Sequence, residues 1–488
     1  MARKQRARKH GQRRPLTNKA SLEKLREWLL PDDTIFSRIT FHGNIKWTPT
    51  GLVWLALCWA WSDARHLTDA FNAAVGMCEK MLPCVPVTTY QGFMGALVGW
   101  TPKLLPVLRD TLQQRMKQLG SKFWHLDEWV AIAFDGSRST APRTKSNEAA
   151  LCANNYGKGH TARYRKKKSK GMRRKRNQKN PAQAPEPQAW ITLLWHMGLR
   201  LPWSWRLGPS NSSERAHVME MLKTETFPPN TLFCGDAGFI GHPLWSCVLE
   251  RQRHFLVRVG ANVNLLHEYA KCTLQKKDKE LFVLCWPKDI MRAGQPPLRL
   301  RLLRVRVGKA RVWMLTSVLD RQKLTAKAAV RFYKLRWGIE MEFRGLKQTL
   351  DRGKLRSRND RRLLAELDWS ILAMAVAELL ALKEQQAQRS SKSAAHEEPP
   401  DPKKRSLAGT MRALRGCLGN LNEVPDPGKD LSSQLRAART DDYERKKPKA
   451  ARYRPANSDK KPLGDPKLRK LDKAQKQKLG KIEANLAA

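Results

Sequence analysis

The chain has 488 residues, 41% of them hydrophobic, enough for one large or two to three ordinary domains with real cores. Its 93 Lys and Arg against 44 Asp and Glu leave a net charge of +49, which repels itself in a compact state unless a polyanion neutralises it. Nucleic acid is the favoured counter-ion over an anionic membrane surface: charged residues interrupt every apolar run short of the ~20 residues a spanning helix needs, no apolar stretch follows the basic N-terminus promptly, and nine cysteines without a CxxC pair argue against a disulfide framework or zinc module.

Residues 1–20 carry eight Lys or Arg and no acid, and read as a disordered basic arm. Residues 21–125 read as a helical, DNA-binding domain. Leu22, Leu25, Leu29 and Leu30 repeat at helical spacing, Gly51–Trp61 fits a buried helix, and Leu104–Leu119 is amphipathic, with Pro83, Pro86 and Pro102 as punctuation. Cys58, Cys234 and Cys285 sit in apolar runs, where Cys is a small buried hydrophobe suited to a reducing cytosol.

At Val130 the texture changes to mixed α/β, and residues 126–385 read as one domain. VAIAFDGS predicts a short strand ending at Asp135-Gly136-Ser137. Trp190–Met197 and Leu199–Leu207 predict two strands turned around Gly198. A helix follows over about Ser212–Thr224, capped by Asn211 or Ser212, and then TLFCGDAGF, a strand ending at Asp236. Between the first strands, Lys158–Lys179 holds twelve Lys or Arg and no acid. This loop (156–182) is expected to lack structure when free and to fold onto DNA through residues such as Lys166, Lys167, Arg173 and Arg174. After a helix near His242–Arg251 come strands at Phe255–Val259, Leu281–Trp286, Leu298–Val307 and Val312–Val318, making a β-rich insertion over about 260–311. Arg299, Arg301, Arg304 and Arg306 are expected to give it a basic, half-exposed face. Leu363–Leu382 predicts an apolar helix. Residues 386–488 are basic and rich in Pro, Ser and Lys, and predict a largely disordered region with short helices near Leu407–Leu418 and Pro466–Ala487.

The most informative segment is Phe332–Leu350. With about 100° per residue and Tyr333 at zero, Arg336 falls near 300°, Glu340 near 340° and Lys347 near 320°. One phenol, one carboxylate and two cations therefore share a stripe. Beside it lies the apolar set Phe332, Leu335, Ile339, Phe343, Leu346 and Leu350. Glu342 points about 180° away from Tyr333, so geometry selects Glu340. Taken alone, Arg336 and Glu340 are equally well an ordinary i,i+4 surface pair, and each aspartate an Asx-type turn before glycine. Together, Asp135, Asp236 and Glu340 could hold two divalent cations about 4 Å apart, which activate a water or 3′-hydroxyl and stabilise the leaving oxygen. Carboxylates suit Mg²⁺. The flanking Arg and Lys would neutralise phosphate oxygens.

Tyr333-x2-Arg336-x3-Glu340-x6-Lys347 resembles the YREK signature of IS4-family DDE transposases, relatives of the Tn5 enzyme. Trp337, Ile339 and Phe343 fit the surrounding pattern, and DGS at Asp135 and DAGF at Asp236 resemble the family's two aspartate motifs. The resemblance spans roughly Val130–Leu382 and implies an RNase H-like core with Asp135, Asp236 and Glu340 as catalytic, metal-binding residues. It implies two Mg²⁺ ions, with Mn²⁺ able to substitute, and Tyr333, Arg336 and Lys347 on transposon-end phosphates. It further implies cut-and-paste transposition of an insertion sequence through a hairpin, by a homodimer on terminal inverted repeats and target DNA. That reading places the protein in a bacterial cytoplasm with the nucleoid. In such enzymes a tryptophan of the β insertion holds a flipped base; Trp313 lies one residue out of step with that position, and Trp286 is a weaker candidate. The alternatives are an RNase H-like nuclease without strand transfer, a catalytically silent DNA-binding descendant, and, remotely, a basic ribosome-type structural protein.

Overall fold

The computed structural model describes residues 16–41, 47–83, 87–152, 186–267, 280–308, 310–387, 400–440 and 463–487, together with 45 and 85. The basic arm up to residue 15 and the loop residues Lys166, Lys167, Arg173 and Arg174 lie outside the described residues. Two compact units divide the chain: residues 1–115 with 372–440, and residues 116–371 with 441–488.

The first unit is helical. Thr48 caps the helix Pro49–Trp61, its hydroxyl accepting from the amide of Gly51, and from Thr50 onward every side chain of this helix is buried. That enclosure matches a run apolar on all sides, which has no solvated face to present. The helix Tyr90–Leu119 runs straight through Pro102 and Pro106, so Pro102 does not end an element as its type suggested. Leu22, Leu25 and Leu29 of the helix Asn18–Leu29 are buried, and this helix packs on Leu407–Gly419 and Leu431–Ala437. The amides of Asn18 and Lys19 reach the carbonyls of Glu423 and Leu421. The expectation of a largely unstructured C-terminal region is therefore corrected for residues 400–440. Met411, Leu414 and Leu418 fall on one helical stripe and bury it, an amphipathic signal that the charged composition around them dilutes.

The second unit is built on one ten-stranded sheet with the order β10-β6-β7-β8-β9-β5-β4-β1-β2-β3. The strands are β1 Val130–Thr140, β2 Gln188–His196, β3 Leu201–Gly208, β4 Thr231–Gly235 and β5 His254–Val259. They continue as β6 Asn264–His267, β7 Glu280–Cys285, β8 Leu298–Val307, β9 Ala310–Thr316 and β10 Lys467–Lys470. β1, β2 and β3 are antiparallel neighbours, whereas β1, β4 and β5 run parallel. Apart from Thr231, β1 and β4 are apolar over their paired residues, as expected of strands covered on both faces. The hairpin joining β2 and β3 turns at Gly198, with Arg200 in the left-handed region at φ 57°. The helix Glu214–Thr224 is capped by Ser213, not by Asn211 or Ser212. In β8 the arginines do not share a face. The period of two sends Arg299 and Arg301 to one side and Arg304 and Arg306 to the other, and Arg301 is buried against Glu280 and the carbonyl of Leu324. The seven described cysteines are buried, and no described helix is long and apolar enough to cross a membrane.

Candidate active site

Asp135 stands inside β1 rather than at its end. Parallel pairing with β4 stops at Ala133–Cys234, while antiparallel pairing with β2 continues to Thr140–Gln188. Between Ala133 and Thr140, where a parallel bridge to Lys354 closes it, the strand thus has one edge without a strand partner. The β1–β4 register, carried two residues further, sets Asp236 (the first residue past β4) level with Asp135. Asp236 makes the bond its turn chemistry suggested, Oδ1 accepting from the amide of Gly238 two residues on, whereas Oδ1 of Asp135, within the strand, accepts from the next amide, that of Gly136, both at 2.8 Å. Each leaves its second oxygen for other work.

The segment expected as one continuous helix over Phe332–Leu350 is in three pieces. The helix Ala326–Arg336 packs on β4 and β8, and the helix Gly338–Arg344 packs on β1. At Trp337 the bonds span three residues, from its amide to Lys334 and from the amide of Glu340 back to it, which tightens the turn. Over Gly345–Thr349 the winding loosens to a π turn closed by the Leu350 amide on Gly345. Gly338 allows its helix a close approach to β2, because a Cβ there would overlap the ring of Trp195. Of the apolar set, Leu335 is only half-buried, and Glu342, expected to point away, is buried too.

Arg336 links these elements. Its Nη1 donates to Oδ2 of Asp135 at 3.1 Å, and its Nη2 lies 3.5 Å from Oε1 of Glu340. Its side chain is 7% exposed, so the guanidinium is enclosed between two carboxylates rather than held out toward solvent. Lys347 donates to the hydroxyl of Ser137 at 2.7 Å, and burial lowers its pKa. The Tyr333 hydroxyl accepts from Arg258 at 3.4 Å, and the Arg336 guanidinium lies 5.8 Å from the Tyr333 ring centroid. The structure therefore brings Asp135, Glu340, Arg336 and Lys347 onto one edge of β1, beside Asp236. Trp313 and Trp286, by contrast, are packed away, donating to Asp465 and to the carbonyl of Gln295.

The model of the transposase DDE domain matches residues 130–376, half of the chain, and spans every one of these residues. The chain belongs to the DDE transposase family. No curated protein matches it in sequence. Among solved structures, a cryo-EM structure of the piggyBac transposase synaptic complex with hairpin DNA is similar at 12% identity. The match covers 85% of this chain and 81% of that one, with a TM-score of 0.38.

This DDE transposase carries a further carboxylate that spacing does not announce. Asp135 and Ser137 face the helices that bear Arg336 and Lys347. Gly136 between them faces the other side, where the Glu214 carboxylate lies so close that a Cβ would overlap it. Glu214 opens the helix Glu214–Thr224, which packs on β1, β2 and β3. Burial, and then repulsion from Asp135 and Asp236, push its pKa up to about 7. Its one signal in the sequence is an acid in the first turn after a serine cap, a feature of many helices.

Burial also raises Asp135 and Glu340, Arg336 pulls both back down, and the charge of Asp236 adds to the rise in each. Asp135 and Asp236 thus act on both Glu340 and Glu214 across a partly dehydrated site. DDE transposases use divalent metal ions, and an all-carboxylate donor set whose mutual repulsion Arg336 offsets only in part fits a hard cation. Among the described residues no three acids, histidines or cysteines already converge as a ligand set. Between Asp135 and Glu340 the positive charge is that of Arg336.

Proposed function

We propose that Asp135, Asp236 and Glu340 are the catalytic, metal-binding residues of a transposase that moves an insertion sequence by cut-and-paste, with a signature of the IS4, Tn5-like type. The observation that carries this reading is the level placement of Asp135 and Asp236 on neighbouring parallel strands, with Glu340 tied to Asp135 through Arg336. The β3-β2-β1-β4-β5 half of the sheet, with β2 antiparallel to β1 and β4 parallel to it, supports an RNase H-like core. β6 to β9 form the β-rich insertion between the second aspartate and the glutamate. The first unit serves DNA binding.

Mg²⁺, with Mn²⁺ as substitute, is the ion suited to these oxygens. Bound there, it would supply Lewis-acid stabilisation of the scissile phosphate and a more acidic water. The remaining work belongs to the chain. Asp135 and Asp236 present oxygens past the paired end of β4, where substrate phosphate can approach without a neighbouring strand in the way. Arg336, once displaced from the carboxylates, offers a planar fork to non-bridging phosphate oxygens, and Lys347 a point charge beside Ser137. Tyr333, backed by Arg258, donates its hydroxyl to a flanking phosphate. The partners are terminal inverted repeats and target DNA, bridged by a homodimer.

The test uses the full-length protein with duplexes carrying the ends of its own element and Mg²⁺. Strand-transfer or hairpin products support transposition. Hydrolysis alone supports a nuclease, and binding without cleavage a silent descendant.

A further inference from the structure

The C-terminal segment 463–487 is tied into the insertion sheet by its own sequence. Asp472 and Gln475 form a reciprocal cap: Oδ1 of Asp472 accepts from the Gln475 amide at 2.7 Å, and Oε1 of Gln475 accepts from the Asp472 amide at 3.1 Å. The helix Lys473–Ala487 starts there. Leu471 and Leu479 join Leu284 and Trp286 in a small core. β10 adds to β6 in parallel from Lys467–Asn264 to Lys470–His267, and Asp465 holds the indole of Trp313.

Charge is what this docking leaves over. The segment carries three acids, and each is engaged: Asp465 with Trp313, Asp472 as the helix cap, Glu483 with Arg299. Its cations are not. Lys467, Arg469, Lys470, Lys473, Lys476 and Lys481 are exposed, and among the described residues no carboxylate pairs with them. Arg469 and Lys470 line a cavity of about 670 Å³ together with Arg215 and Lys288. Ile240 and Gly241, a few residues past Asp236, form another wall. Arg215 donates to the carbonyl of Ile240 at 2.8 Å, which fixes this wall beside the helix that Glu214 opens.

We propose that β10 and the Lys473–Ala487 helix form a backbone-binding groove for duplex DNA, gripping phosphates through Arg215, Lys288, Arg469 and Lys470. The proposal rests on the transposase reading for the identity of the polyanion. A helix of this length spans about 22 Å, enough to follow several successive phosphates, which an isolated nucleotide would not need. Phosphate contacts carry no base information, so the grip is expected to be the same on any sequence.

The experiment compares the full-length protein with Arg469→Gln/Lys470→Gln on two duplexes, one bearing an element end and one scrambled. Binding is expected to weaken about tenfold or more near 100 mM salt, equally on both, with a log–log salt slope shallower by about 2. A second variant, Lys476→Gln/Lys481→Gln, changes exposed helix positions outside β10 and the cavity and is expected to shift the slope the same way, which separates lost contacts from misfolding. Unchanged affinity and slope in both variants overturn the proposal, as does a loss confined to the element end or to anionic lipid vesicles. Absence of cleavage by the unmodified protein would count against the transposase reading and leave these slopes standing.

Discussion

Arg336 donates to Asp135 at 3.1 Å and reaches Glu340 at 3.5 Å, so a buried guanidinium holds together two carboxylates from separate elements. Removing it leaves those charges close and partly dehydrated. Arg336→Ala is expected to lower metal-free stability by about 2 to 3 kcal/mol, below the full cost of a wholly buried pair because Glu340 is partly exposed. Mg²⁺ should recover more stability in the variant than in the parent, since it replaces the missing charge. Urea unfolding with and without Mg²⁺ measures both; an equal Mg²⁺ effect in the two proteins would contradict competition between the arginine and the ion.

Asp135→Asn, Asp236→Asn and Glu340→Gln keep shape while removing charge. Each is expected to reduce cleavage of element-end DNA by about a thousandfold or more, the equivalent of several kcal/mol of transition-state stabilisation. Duplex binding should persist. Cleavage surviving in any one of the three removes that residue from the site.

Glu214 gives a pH signature. Its pKa in the folded protein is about 7 against an ordinary 4.5, so between those values the folded state binds the extra proton. The contribution of Glu214 to stability is therefore greatest below about pH 4.5 and falls as pH rises toward 7. The metal-free parent should lose about 1 kcal/mol relative to Glu214→Gln over that window, a figure kept small because the side chain is only half-buried. Parallel pH profiles of the two proteins would show that Glu214 is not confined as described.

Gly136→Ala tests the same contact from the other side. The added methyl would displace the Glu214 carboxylate, at a cost of about 1 kcal/mol. It should also flatten the pH profile as Glu214→Gln does. Combined with Glu214→Ala, the cost should largely vanish, and a double-mutant cycle reads the coupling. Additive effects would mean the two residues do not meet.

The amino-acid sequence was sufficient where the chemistry is local and periodic. Tyr333, Arg336, Glu340 and Lys347 share a helical stripe because their spacing matches the turn, and the apolar runs around Val130 and Thr231 make strands whoever their neighbours are. The match of the transposase DDE domain to residues 130–376 agrees with the broader part of the resemblance those spacings carry, a DDE transposase. Only the tertiary structure decided what depends on pairing between distant segments. The β1–β4 register levels Asp135 with Asp236, the breaks at Trp337 and Gly345 let Glu340 close onto β1, and Glu214 arrives from the far face of that strand over a glycine. The structure also turned Arg336 inward onto the acids, packed residues 400–440 against the helices of the first unit and joined residues 463–487 to the insertion sheet. Which carboxylates sense one another, and which cations are left for DNA, follow from distances across the fold, and a one-dimensional spacing carries no record of those.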